Sequence, residues 1–218
     1  MRRKTARTAA LAMVVGVALV AAACSSGSDH DHASTERADL VSHQLRSDMR
    51  ELWEDHVTWT RVVIISAAAD LPDFQAAVGR LLENQEDIGN AIKPYYGETA
   101  GTELTRLLKD HIAIAGDLLV AAKAGDTSAQ EDASTRWYAN ADDIARFLAA
   151  ANPDHWPEPE MAKMMRTHLD LTLEEATARL TGDWAGDVVA YDRVMAEIRH
   201  MADMLTDGIV AQFPERFS

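Results

Sequence analysis

The chain is expected to fold as an all-α protein, a six-helix bundle built from three tandem αα-hairpin repeats. Three observations lead there. Proline and glycine are sparse, at 6 and 11 of 218 residues, while alanine, leucine, methionine and acidic residues abound. That balance favours helix over sheet. Apolar residues recur at helical spacing through long stretches that end at Gly-Asp or proline-containing breaks. Two sets of residues also recur at almost one period, the signature of repeated supersecondary units.

The N-terminus precedes that pattern and reads as an address. Residues 2–7 are basic, residues 9–23 (AALAMVVGVALVAAA) are small and apolar, and Cys24 follows at once. The apolar run is shorter than the roughly 20 residues a spanning helix needs. It has the charged, apolar and small-residue order of a secretory signal. With Ala21, Ala22 and Ala23 before the chain's single cysteine, the segment resembles a lipoprotein signal. The resemblance implies cleavage after residue 23 and a lipid on Cys24. The mature protein would then sit on the extracytoplasmic face of a cell membrane, with the membrane as its partner through that lipid. Residues 24–37 are polar, lack a core pattern and read as a flexible tether. The Asp29-His30-Asp31-His32 run within it is expected to be a solvated spacer.

The folded domain is expected over 38–218. Breaks at Asp70-Leu71-Pro72, Pro94 to Gly97, Gly125-Asp126, Asn152 to Pro159, Gly182-Asp183 and Phe213-Pro214 delimit helices near 38–68, 72–92, 99–124, 127–150, 159–181 and 184–212. Glycine closing one helix and aspartate opening the next is the expected capping chemistry. The odd-numbered helices share a pattern of two apolar residues, a charge, a polar residue and a histidine, at Leu52–His56, Leu107–His111 and Met164–His168. The histidines are spaced by 55 and 57 residues. On the even-numbered helices Asn84 with Asp87, Asn140 with Asp143, and His200 with Asp203 align at spacings of 56 and 60. The repeats span about 38–95, 98–152 and 158–213. The sequence leaves open whether they stack as a solenoid or close into a bundle.

His56, His111 and His168 each lie on an apolar stripe, so all three imidazoles are expected to face inward. Residues at i and i+3 share a helix face, which places each Asp beside its Asn or His. One reading is a binding module that holds a metal ion or small ligand in the bundle core. There His56, His111, His168 and His200 would ligate a transition metal ion, zinc or copper, with Asn84, Asn140, Asp87, Asp143 and Asp203 as ligand-binding partners. Met161, Met164, Met165, Met195, Met201 and Met204 supply thioethers of the kind Cu(I) favours. The other reading is a hydrogen bond repeated within each hairpin, which satisfies a buried ring without any ligand. The chain would then be a non-catalytic scaffold or a protein-binding module.

The formal net charge is −14. Arg2, Arg3, Lys4 and Arg7 are the only charged residues of the first 23, so the remainder is more acidic still. Such a surface repels phosphate backbones, and nucleic acid is not an expected partner. No nucleophile beside a base, glycine-rich phosphate loop or zinc-protease motif stands out, and the sequence carries no positive sign of catalysis.

Several segments carry a family resemblance. They are Leu52-Trp53-Glu54-Asp55-His56-Val57-Thr58-Trp59-Thr60-Arg61, Asn90-Ala91-Ile92-Lys93-Pro94-Tyr95-Tyr96-Gly97, Ala121-Ala122-Lys123-Ala124-Gly125-Asp126, Trp137-Tyr138-Ala139-Asn140-Ala141-Asp142 and Gln212-Phe213-Pro214. Across residues 45–214 these are similar to an uncharacterised family of small all-helical bacterial proteins. Some of its members carry the names acetylglutamate kinase or glycosyltransferase. No nucleotide-binding motif in this chain accompanies those names. The resemblance implies one helical domain and transfers no catalytic or binding residue.

Overall fold

The computed structural model describes residues 28–218, with side chains from Asp39 onward. The expected signal (1–23) and Cys24 lie outside the described residues. Five α-helices follow one another: α1 (Ser28–Ala68), α2 (Phe74–Ala124), α3 (Thr127–Ala151), α4 (Glu158–Thr181) and α5 (Trp184–Gln212). A single 3-10 turn, Pro214–Arg216, closes the chain. There is no strand among the described residues. None of these helices is long and apolar enough to cross a membrane.

Two expected boundaries move. The first helix begins at Ser28 rather than at 38, so it runs through most of the segment expected to be a tether. The second and third expected helices are joined as α2, so five helices stand where six are expected. The join is not straight. Gly97 has φ 84° and ψ 168°, a conformation open essentially to glycine alone, and Pro94 precedes it. On the two sides of that break the chain doubles back. A Cβ added to Gly89 would lie 2.6 Å from the Gly101 carbonyl oxygen, and one added to Gly101 would lie 2.5 Å from that of Gly89. Lys109 reaches back to Glu86 across the same contact. Two glycines meeting face to face let the arms of α2 approach more closely than any side chain would permit.

The other stops follow the chemistry read from the sequence. Gly125 (φ 70°) and Gly182 (φ 77°) are left-handed, and their N–H groups cap the carbonyls of Ala121 and Ala122, and of Ala178 and Arg179. Asp126 and Asp183 then open α3 and α5 by accepting from the Ala129 and Gly186 amides.

The helices close into a bundle rather than a solenoid. Each packs on the next in sequence, and α5 returns to pack on α1. At that seam the Arg50 guanidinium donates twice to Asp203, at 2.7 and 2.6 Å, and Arg199 donates to Glu54 at 2.7 Å. Exposed pairs of this kind contribute about 0.2–1 kcal/mol each, so they orient the seam more than they hold it. The stability lies in the apolar core. Ile88, Leu108, Ile144, Leu169, Ile198, Met201 and Ile209 are all but sealed from solvent, each contributing roughly 1.5–3 kcal/mol. A smaller apolar cluster of Val63, Ala77 and Leu81 stands apart from that main core.

Candidate functional site

His56 on α1, His111 on the second arm of α2 and His168 on α4 are only 3, 3 and 4 % exposed. All three line one cavity of about 590 Å³. The rings of His56 and His168 stand 5.7 Å apart. From the imidazoles the cavity runs between α1, both arms of α2 and α4. It passes Val63, Ile64, Leu118, Leu173 and Ala176 and reaches Phe74, Ala124 and Leu180, at the end where α1 meets α2 and α2 meets α3. Its walls are mainly apolar. Thr60 and Thr172 also line it, but their hydroxyls donate to the carbonyls of His56 and His168 one turn earlier.

Each imidazole Nδ1 meets the side chain 29 residues further along the chain: Gln85 for His56, Asn140 for His111 and Glu197 for His168. These partners fix three different protonation patterns. Trp137 Nε1 can only donate, and it does so to His111 Nε2 at 3.1 Å. The His111 proton is therefore on Nδ1, which donates to Asn140 Oδ1 at 2.8 Å. Both nitrogens of His111 are used. At His56 the neighbour of Nδ1 is the amide nitrogen of Gln85, 3.2 Å away, which also donates to the Leu81 carbonyl at 2.7 Å. The same amide nitrogen donates to Asn84 Oδ1 at 3.1 Å, and Gln85 Oε1 is buried without a partner. With the amide in this orientation Nδ1 faces a nitrogen, and the proton is assigned to Nε2. At His168 the partner is a carboxylate oxygen of Glu197 at 3.3 Å. A neutral ring that donates Nδ1–H to it carries its lone pair on Nε2.

The Nε2 edges of His56 and His168 have no partner among the described residues, yet neither atom belongs to the sealed, unpaired polar atoms of the core. They open onto the cavity, one as a donor and one as an acceptor. Burial lowers the pKa of His56 well below its ordinary value, with repulsion from His168 and His111 acting in the same direction. Burial likewise lowers His111, to about 3, with His168 adding to the effect. Both rings are neutral at pH 7.

The remaining expected site residues are elsewhere. Asn84 is buried but donates to the Leu52 carbonyl, and Asn140 serves His111 and the Leu107 carbonyl. Neither lines the cavity with the imidazoles. Asp87 and Asp143 are solvent-exposed, the latter paired with Arg146. Asp203 is engaged by Arg50 and Arg46, which hold its carboxyl below the usual range despite partial burial. His200, expected inward, is exposed. Among the described residues no three His, Cys, Asp or Glu side chains are grouped to hold a metal ion. His111 shows one reason, since a metal would have to displace Trp137 from its only free lone pair. The methionines do not approach the cavity. Met161, Met164, Met165 and Met201 are core filling, and Met195 and Met204 pack against that core.

The sequence spacing aligns Asn84 and His200 with Asn140. Asn84 does match Asn140 in donating to the carbonyl four residues before the histidine, Leu52 in one case and Leu107 in the other, but the side chains that meet Nδ1 as Asn140 does are Gln85 and Glu197. The signal was present, because the histidine spacings of 55 and 57 residues, carried onto Asn140, land on Gln85 and Glu197. A second polar group had no such signal. Arg61 donates to Glu175 at 2.6 Å and to both oxygens of Asp187 at 2.8 and 3.1 Å, while Arg179 reaches Asp187 at 3.3 Å. Glu175 and Asp187 are 1 and 2 % exposed. The Arg61 guanidinium lies over the Tyr191 ring at 4.5 Å. Burial pushes Glu175 up to about 7 against the pull of Arg61. This network ties α1, α4 and α5 together beside the cavity.

The class defined by fold and site is a closed all-α bundle with a mainly apolar cavity and two unpartnered imidazole edges facing it. No family model matches the chain, and no significantly similar curated protein or solved structure was found.

Proposed function

We propose that this chain is a lipid-anchored, extracytoplasmic binding module that holds a small, mainly apolar molecule in the cavity between α1, α2 and α4. The observation that carries the reading is the cavity itself. It falls within the roughly 300–1,000 Å³ of small-molecule sites and combines apolar walls with a few convergent polar atoms, as such sites do. A buried ring edge without a partner is costly in a finished core. Two of them opening on one void are explained by a ligand that completes them.

Three tandem hairpins account for how the site arises. The shared 29-residue offset from each imidazole to its partner supports that reading, as does the reversal of the chain at Gly97. On this view every repeat carries one inward histidine. His111 keeps the purely structural version with both nitrogens satisfied, and His56 and His168 keep one edge free. The anchor rests on the sequence pattern ending at Cys24, and the resemblance to small helical bacterial proteins accords with a one-domain module.

Titration with the neutral apolar dye aminoanthracene tests the proposal. Wild type is expected to enhance its fluorescence at a stoichiometry of one. Ala176→Trp, which fills the cavity from α4, is expected to abolish the enhancement while keeping the helical circular dichroism. Absence of dye binding by wild type, or equal binding by Ala176→Trp, overturns the reading in favour of a scaffold whose histidines are only core hydrogen bonds.

A further inference from the structure

The two free ring edges specify more than an apolar ligand. His56 is assigned an Nε2–H from the Gln85 amide nitrogen beside its Nδ1, and a neutral His168 donating Nδ1–H to the Glu197 carboxylate presents the Nε2 lone pair. The rings are 5.7 Å apart and lie at 45° to each other in a mainly apolar cavity, whose lining further along also includes Gln75, Asp117, Asp126, Gln130 and Thr177. A head group that satisfies both edges needs one acceptor and one adjacent donor on a compact centre. A hydrocarbon chain must follow it toward Phe74 and Leu180.

We infer that the ligand is a carboxylic acid with a hydrocarbon chain. This assignment rests on the cavity being a ligand site. The carbonyl oxygen accepts from His56 Nε2–H, and the acid O–H donates to His168 Nε2. If the proton crosses that second bond, the O–H bond breaks, an N–H bond forms, and a carboxylate faces an imidazolium whose other nitrogen already donates to Glu197. Either way one proton lies between acid and ring, so the acidic protein does not confront an uncompensated anion inside the cavity. An ester has the acceptor without the donor, and an alkane has neither. No lysine or arginine lines the cavity to hold a bare anion by charge, which leaves this paired hydrogen bonding as the source of selectivity.

The test is displacement of bound aminoanthracene from wild type by dodecanoic acid, its methyl ester and dodecane. The acid is expected to displace the dye at least tenfold more effectively than the ester, since only the acid can donate to His168 Nε2 while accepting from His56. The alkane is expected to be the weakest. His168→Phe keeps an apolar ring of similar size and is expected to bind the dye while losing the preference for the acid. In Glu197→Gln, which acts through His168, acid affinity falls and dye affinity stays. Equal displacement by acid and ester overturns the carboxylic acid assignment while leaving the cavity a binding site. Failure of the dye to bind at all overturns the earlier proposal instead.

Discussion

Acidification should destabilise this fold through its buried imidazoles, and Glu175 should conceal part of the effect. The pKa of His111 falls from 6.5 to about 3 on folding, chiefly through burial. A base with a depressed folded pKa contributes stability above its unfolded value and loses it as pH falls. Lowering pH from 6.5 to 4.5 therefore costs about 2 kcal/mol at this residue alone, because the unfolded chain takes up a proton that the folded chain refuses. His56, displaced in the same direction chiefly by burial, loses stability over the same interval. Glu175 acts oppositely. Its pKa rises from 4.5 to about 7 on folding, again through burial. Its contribution is complete below the unfolded value and is lost as pH rises, so the same acidification returns about 2 kcal/mol. Urea unfolding followed by circular dichroism at pH 6.5 and 4.5 measures the balance. Between the two conditions Glu175→Gln should lose about 2 kcal/mol more than wild type. Surface carboxylates contribute alike to both proteins and cancel in the comparison. Equal losses in wild type and variant would refute the assignment of a raised pKa to Glu175.

Gly97→Ala places a Cβ at φ 84°, ψ 168° and should cost about 1–3 kcal/mol in chemical denaturation. An unchanged midpoint would mean that the reversal inside α2 is not held by glycine. Arg61→Met leaves Glu175 and Asp187 buried without their main cation and should cost about 3–5 kcal/mol. Adding Glu175→Gln and Asp187→Asn to Arg61→Met should restore most of that loss in thermal melts, since the cost belongs to the stranded charges rather than to the arginine.

The helical fold was legible because its determinants are local. Gly125-Asp126 and Gly182-Asp183 each join a left-handed stop to a side-chain cap, and both act as read. The inward direction of His56, His111 and His168 followed from their place on apolar stripes and needed only helical periodicity. The break at Gly97 was visible in the sequence, but the close approach of the two arms of α2 was not, because they meet through Gly89 and Gly101, whose role is to be absent side chains. His200 and Asp203 were misread as inward. A motif at i and i+3 fixes which residues are neighbours, but which face turns to the core is decided by the helices packed around it.

Residue order alone therefore settled the helical class, the Gly-Asp stops and caps and the inward turn of three imidazoles, since each depends on contacts within a few residues. Packing settled the rest. Closure of α5 onto α1 excluded a solenoid and brought His56 within 5.7 Å of His168. Those residues lie far apart in sequence, and no local spacing encodes their distance. The same closure assembled Arg61, Glu175 and Asp187 from three helices and left unfilled the space between α1, α2 and α4. A void is a property of how surfaces fail to meet, and it exists only once every helix has found its neighbours.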